Sequence, residues 1–196
     1  MELNKKIVEK TKAFVKAAFQ ANPHYSFNHW SVMYNHSVNV QKIAIKISEK
    51  IECNKTLVSL GALLHDIGKT YKADPKILHR DHEKFNLIVS ETFLKSLNLS
   101  KKDYSKVCNL ILHKSRSVEM KIIRDADALA MYFDKKLYMP WIEWAIKNQS
   151  WCKSEIERKL NKYNHLNFTI SRQLGKAPRE KMKKDWNKFQ QKHASH

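Results

Sequence analysis

Turn-forming residues are scarce in this sequence, and their scarcity restricts the folds that the chain can adopt. Its 196 residues include only three glycines, at positions 61, 68 and 175, and four prolines. β-Hairpins and doubly wound sheets need such residues at most of their turns, so long helices joined by short loops are predicted instead. Rossmann and P-loop nucleotide sites are also excluded, because their phosphate-binding loops need closely spaced glycines that this sequence lacks.

Apolar residues recur at helical spacing along most of the chain, which predicts an all-α fold of roughly seven helices. The pattern places these helices at about 3–21, 31–50, 54–68, 81–97, 100–113, 117–132 and from Pro140 onward. Ser100 is predicted to cap the fifth helix, and Gly68 to end the third in a left-handed conformation. The fourth helix is predicted to bury Phe85, Ile88 and Phe93.

The C-terminal segment 153–196 differs in composition from the rest of the chain, since it holds twelve Lys or Arg residues against four acidic ones. We therefore predict a main domain over residues 1–152 and a basic helical extension over 153–196 that packs on the same domain. The whole chain has 37 Lys and Arg against 19 Asp and Glu, a net charge of +18. Such an excess favours partners that carry phosphate, whether nucleotides, nucleic acid or an anionic membrane surface.

The three cysteines, Cys53, Cys108 and Cys152, are odd in number and widely spaced. This pattern indicates free thiols in a reducing compartment rather than a disulfide framework or a CxxC zinc site. No apolar run approaches the length of a membrane span, and the amphipathic N-terminus does not resemble a signal peptide. We therefore expect a soluble, cytoplasmic protein without a membrane span.

The strongest chemical signal is the adjacent pair His65-Asp66 near the end of the third predicted helix. An imidazole nitrogen and a carboxylate oxygen from such a pair can bind one divalent metal ion. His36 lies on the apolar face of the second helix, and Asp125 and Asp127 follow on the sixth. Buried His and Asp side chains cost free energy unless they are paired or bind a metal, so this set predicts a metal site.

The two downstream aspartates cannot both face that site, because they lie about 200° apart on an ideal helix. Asp125 shares a helix face with Ile122 and Leu129, which favours Asp125 as the inward residue. The residue pattern alone leaves the choice between Asp125 and Asp127 open.

The run Leu63-Leu64-His65-Asp66-Ile67-Gly68-Lys69, with His36 upstream and Asp125-Ala126-Asp127 downstream, resembles the HD-domain metal-dependent phosphohydrolase superfamily of the HDIG type. The resemblance covers about residues 30–135. It implies an all-helical bundle around a divalent metal ion, which could be Mn, Fe, Co, Ni, Mg or Zn. The metal ligands that it implies are His36, His65, Asp66 and Asp127.

The resemblance also implies a reaction, in which a metal-activated water attacks the phosphorus of a phosphorylated small molecule such as a nucleotide. Asp66 and Lys69 would be catalytic, the carboxylate orienting the water and the ammonium contacting a phosphate oxygen. Some nucleotidase members carry a glutamate at the position of Lys69. In the branch that cleaves cyclic dinucleotides, histidines at similar positions hold a second metal, which implies that role for His82 and His113. This sequence lacks the Gly-Tyr-Pro extension of that branch.

Two arginines and three tryptophans are weaker candidates for substrate contact. The guanidinium groups of Arg80 and Arg124 suit phosphate, although a surface ion pair is the favoured interpretation of each. The tryptophans recur at helical spacing, so core packing or a subunit contact is favoured over stacking on a base; they are Trp141, Trp144 and Trp151.

A second hypothesis is a non-catalytic or regulatory module that keeps the same scaffold and binds nucleic acid or nucleotides through its basic surface. The charge of segment 153–196 favours this hypothesis, whereas the complete set of candidate ligands favours an enzyme. A phosphodiesterase that holds an oligonucleotide on the basic segment would combine the two, and its binding would weaken steeply with salt.

Overall fold

The computed structural model of the chain describes residues 3–22, 29–147 and 151–194, which contain helices and no β-strand. The predicted all-α fold is therefore confirmed. Two 3₁₀ helices, Ile67–Thr70 and Lys162–His165, separate some of the α-helices. The α-helices are α1 (Lys5–Ala21), α2 (Trp30–Ser48), α3 (Lys55–Leu64), α4 (Pro75–Ser96), α5 (Lys101–Ile111), α6 (Val118–Phe133), α7 (Lys135–Lys147), α8 (Trp151–Asn161) and α9 (Thr169–Ala194).

Polar side chains just before several helices fix where those helices begin. Asn4 caps α1 by accepting a hydrogen bond from the Ile7 N–H at 3.2 Å. Asn54 caps α3 in the same way, and Ser100 accepts from the Asp103 N–H at 3.1 Å at the start of α5. These oxygens satisfy backbone N–H groups that have no partner inside the helix. The predicted cap at Ser100 is confirmed.

The chain forms two compact units, residues 1–124 and 125–196, and α6 runs through the division. The core of the first unit surrounds α3, whose side chains are all buried from Leu57 to Leu64. Gly61 allows α6 to approach α3 closely, because a Cβ at this position would lie 2.5 Å from Cδ1 of Ile123. Helix α3 therefore enters the interior of the unit just before the His65-Asp66 pair.

In the second unit, buried tyrosines tie the basic segment to the preceding helices. The Tyr132 hydroxyl donates to the Lys159 carbonyl oxygen at 2.6 Å, and the Tyr138 hydroxyl donates to Oδ2 of Asp185 at 2.7 Å. Met182 and Trp186 of α9 are also buried. The segment from residue 153 is thus helical, as expected, while the domain boundary at residue 152 stays a prediction.

Two proline positions differ from the sequence-based expectation. Helix α4 begins at Pro75 rather than near residue 81, because the fixed φ of proline suits the first turn of a helix and its missing N–H has no partner there anyway. Pro140 lies inside α7 instead of opening it. Because proline has no backbone N–H, α7 lacks one hydrogen bond from Pro140 to the preceding turn.

The prediction of which side chains α4 buries is also wrong. Ile88 is 59% exposed, whereas Asn86 and Ser90 are completely buried. The buried face continues through Leu78 and Leu94, so it follows a spacing of four residues that includes polar side chains. The apolar pattern misled the prediction because part of the buried face of α4 is polar.

Candidate metal centre

The chain leaves the α-helical conformation at the His65-Asp66 pair. Helix α3 ends at Leu64, Asp66 adopts φ −116° and ψ 7°, and a 3₁₀ helix begins at Ile67. The backbone of Asp66 lies in the sparsely allowed bridge region, where many active-site residues are found. We call residues 65–70 the His-Asp turn.

The ring of His65 is oriented by the last turn of α3. Its Nδ1 lies 2.8 Å from the Ala62 carbonyl oxygen. Because a carbonyl oxygen only accepts, this contact places a proton on Nδ1. When the ring is neutral, its lone pair therefore lies on Nε2, which suits metal binding through that atom.

The Asp66 carboxylate is the centre of a buried polar cluster. Its Oδ2 lies 2.6 Å from Nζ of Lys69, 3.5 Å from Nε2 of His65 and 3.7 Å from Nε2 of His36. Its Oδ1 lies 2.9 Å from Nε2 of His82. Burial alone would raise the pKa of this carboxyl, but Lys69, His65 and His82 together hold the pKa well below its usual range. Asp66 is therefore ionised at neutral pH.

His82 and His113 occupy different positions relative to this cluster. His82 contacts Asp66 directly, and its Nδ1 is buried without a hydrogen-bond partner among the described residues. His113 has a left-handed φ of 54°, and its Nδ1 lies 3.1 Å from Oε1 of Glu83. The pKa of His113 is lowered, mainly by burial of the ring and then by the nearby His65. The resemblance did not point to Glu83, which directly follows His82 in the sequence.

Gly68 does not adopt the predicted left-handed conformation, since its φ is not positive. It is close to α4 instead. A Cβ at this position would collide with the His82 carbonyl oxygen and would lie 2.8 Å from the Asn86 backbone nitrogen. The absence of a side chain thus brings the His-Asp turn against α4.

The two downstream aspartates have distinct environments within the second unit. Both oxygens of the buried Asp125 accept the Asn167 N–H, at 2.9 and 3.0 Å. Asp125 also accepts the Asn167 side-chain amide at 2.7 Å and the Phe168 N–H at 3.1 Å, just before α9. Asp127 is one-third exposed, and its Oδ2 lies 3.6 Å from Nζ of Lys162. Asp125 therefore anchors the backbone just before α9, which favours Asp127 over Asp125 as the candidate ligand.

Three of the predicted ligands lie together in the first unit. Nε2 of His65 and Nε2 of His36 lie 3.5 and 3.7 Å from Oδ2 of Asp66. Two imidazoles and a carboxylate are a common ligand set for divalent transition metals. The described residues thus include a candidate His/Asp metal site.

Of the weaker candidates, the two arginines contact other groups. The Arg80 side chain is 75% exposed and forms an ion pair with Asp81, while Arg124 donates to the His113 carbonyl oxygen at 3.4 Å. The side chains of Trp141, Trp144 and Trp151 lie outside the described residues.

A buried His-Asp pair at the end of a helix, beside a buried histidine from an earlier helix, is the arrangement that the resemblance to HD-domain proteins implies. The family model described as "HD domain" matches residues 33–132, about half of the chain, and the chain belongs to this family. No curated protein matches the chain.

Two solved structures show the same fold. An HD-superfamily hydrolase from Bacillus thuringiensis aligns with a TM-score of 0.71 at 20% identity, covering 98% of this chain and 99% of that one. Bacillus subtilis YpgQ in complex with ADP aligns with a TM-score of 0.69 at 20% identity, covering 95% of each chain. The protein thus has the fold of HD-superfamily hydrolases. No helix among the described residues has the length and apolarity to cross a membrane.

Proposed function

We propose that the protein is a metal-dependent phosphohydrolase that cleaves a phosphate ester of a nucleotide or a related small molecule. The observation that carries the proposal is a buried cluster in the first unit, in which Oδ2 of Asp66 lies 3.5 Å from Nε2 of His65 and 3.7 Å from Nε2 of His36. The neighbouring Lys69 and His82 help to keep this carboxylate ionised. Neutral imidazoles and ionised carboxylates are the forms that bind metal.

One divalent ion would be held by His36, His65, Asp66 and Asp127. Mixed imidazole and carboxylate ligands suit Mn, Fe, Co, Ni, Mg or Zn. Such an ion supplies an activated water and neutralises charge on the phosphoryl oxygens. A second ion held by His82 and His113 stays a prediction, supported by the buried ring nitrogens of both residues that have no hydrogen-bond partner among the described residues.

The protein side chains would divide the remaining tasks. Asp66 orients the attacking water through its ionised carboxylate. His82 holds Oδ1 of Asp66 at 2.9 Å and so fixes the plane of that carboxylate. Lys69, whose ammonium lies 2.6 Å from the other oxygen, is placed to meet a phosphate oxygen of an incoming substrate.

A nucleotide is the substrate class to test first. The net charge of +18 attracts polyanions, and the related Bacillus subtilis protein YpgQ has been solved in complex with ADP. Nucleic acid is the alternative partner, because α9 exposes several lysines, among them Lys183, Lys184 and Lys188. In the second hypothesis these lysines would serve a regulatory module without turnover, and binding would fall steeply with salt.

The test combines elemental analysis of the purified protein with hydrolysis assays. A bis-aryl phosphate and a panel of nucleoside mono-, di- and triphosphates are assayed with and without Mn²⁺. His65→Ala should lose metal and turnover while keeping its helical circular dichroism. His165→Ala is the matched control, since His165 is exposed on the second 3₁₀ helix. Wild-type protein that binds no metal and cleaves none of these substrates would favour the regulatory module.

A further inference from the structure

The His-Asp turn interrupts the regular hydrogen bonding of α3. In a continuous α-helix, the His65 carbonyl oxygen would accept the Lys69 N–H, and the Gly68 N–H would donate one turn back. Here the Lys69 N–H donates to the Asp66 carbonyl oxygen at 3.0 Å. The interruption therefore leaves a carbonyl and an N–H group in a buried region, where both need partners.

The side chain of Asn86 on α4 provides these partners. Its Oδ1 accepts the Gly68 N–H at 2.6 Å, and its Nδ2 donates to the His65 carbonyl oxygen, also at 2.6 Å. The same Nδ2 donates to the Ile111 carbonyl oxygen in the last turn of α5, at 2.7 Å. Asn86 is completely buried, so its amide replaces backbone hydrogen bonds where no water can reach.

We propose that Asn86 is a positioning residue, which maintains the interruption of α3 and thereby directs the Asp66 carboxylate toward His36 and His65. The two bonds to the His-Asp turn bracket Asp66 in the chain, so they fix the backbone on both sides of its carboxylate. Without Asn86, α3 would continue through Asp66 and rotate its carboxylate. The catalytic meaning of this role depends on the proposed function.

Helix α4 is suited to this task because three consecutive turns present polar groups on one face. His82 contacts Asp66, Asn86 holds the turn, and the Ser90 hydroxyl donates to the Asn86 carbonyl oxygen at 2.6 Å. Gly68 brings the turn against this face. Ser90 is as completely buried as Asn86, yet its hydrogen bond stays within α4.

Ser90→Ala is therefore the matched control for Asn86→Ala, since each removes a buried polar group from the same face of α4. Both variants are expected to lower the urea midpoint of unfolding. Only Asn86→Ala should weaken Co²⁺ binding, by about 10- to 100-fold as for other residues that orient metal ligands, and alter the visible absorption spectrum of the bound Co²⁺. A folded Asn86→Ala protein with wild-type Co²⁺ affinity and spectrum would overturn the proposal.

Hydrogen exchange of the wild-type protein gives a second test that does not depend on whether the variant folds. The Gly68 amide proton should exchange as slowly as those in the middle of α3, and exchange at the rate of an exposed loop would refute the role of Asn86. Wild-type protein that takes up no Co²⁺ would contradict the proposed function instead. The exchange rate of Gly68 then decides separately whether Asn86 maintains the turn.

Discussion

Replacing Gly68 with alanine tests how closely the His-Asp turn must approach α4. The added Cβ would collide with the His82 carbonyl oxygen and lie 2.8 and 2.9 Å from the backbone nitrogen and Oδ1 of Asn86. Two of these three atoms belong to the backbone of α4 and cannot rotate away. The turn and the helix would have to separate, which would stretch the 2.6 Å hydrogen bond between the Gly68 N–H and Asn86.

The expected cost follows from these contacts. Overpacking a well-packed core costs about 1–3 kcal/mol. Weakening the hydrogen bond to Asn86 adds about 1 kcal/mol, and the reduced entropy of the unfolded alanine chain returns about 0.4–1 kcal/mol. The free energy of unfolding should therefore fall by about 1–3.5 kcal/mol, by the sum of these terms.

Gly61→Ala provides the matched comparison. Its Cβ would lie 2.5 Å from Cδ1 of Ile123, which is the end of a flexible side chain, and alanine gains about 1 kcal/mol over glycine inside a helix. This variant should stay within about 1 kcal/mol of the wild type. Urea unfolding in EDTA, followed by circular dichroism, measures both variants, and metal uptake is compared afterwards. The reasoning is refuted if Gly68→Ala is as stable as Gly61→Ala.

Four further substitutions separate structural from functional roles. Asp125→Ala should lower the free energy of unfolding by about 3 kcal/mol, because it removes the hydrogen bonds that this carboxylate accepts just before α9. This variant should keep its metal. Asp127→Ala should instead lose metal with little change in stability. Urea titration and elemental analysis distinguish these outcomes, and the reverse result would assign the ligand to Asp125. Burial raises the pKa of Tyr132 to about 12, so the stability that its neutral hydroxyl provides is complete below about pH 10 and is lost as the pH rises toward 12. The stability difference between wild type and Tyr132→Phe should therefore narrow between pH 8 and pH 11 in urea titrations, and a constant difference would contradict this assignment. Arg80→Ala should change stability by less than about 0.5 kcal/mol and leave KM unaltered, since its side chain is exposed; a large rise in KM would identify a phosphate contact.

The sequence predicted structural features correctly where they depend on residues close together in the chain. Ser100 precedes α5 and caps it, and this requires only the backbone of the next three residues. His36 falls on the buried face of α2 together with Val40, Ile43 and Ile47, as the spacing of these residues predicts. Such patterns depend on helix geometry within one element, and the all-α fold follows from their repetition.

Prediction failed where an environment depends on residues distant in the sequence. The spacing of Ile122, Asp125 and Leu129 correctly indicated a buried aspartate. The N–H groups that donate hydrogen bonds to the Asp125 carboxylate, however, belong to Asn167 and Phe168, which lie 42 and 43 residues later in the sequence. Periodicity shows that a side chain is buried and does not show what it contacts. The choice between a backbone anchor and a metal ligand therefore needed the structure.

The same limit explains why Gly68 was misread and why Asn86 was missed. A glycine after a helix is usually a left-handed cap, and an asparagine inside a helix is usually a surface residue. Here each residue requires the other. Gly68 lets the His-Asp turn approach α4, and Asn86 forms hydrogen bonds with the backbone groups that the turn leaves without helical partners. The available signal was the spacing of His82, Asn86 and Ser90, each four residues apart on one helix face. In this protein the polar stripe on the buried face of α4 contacts the interrupted backbone that carries Asp66.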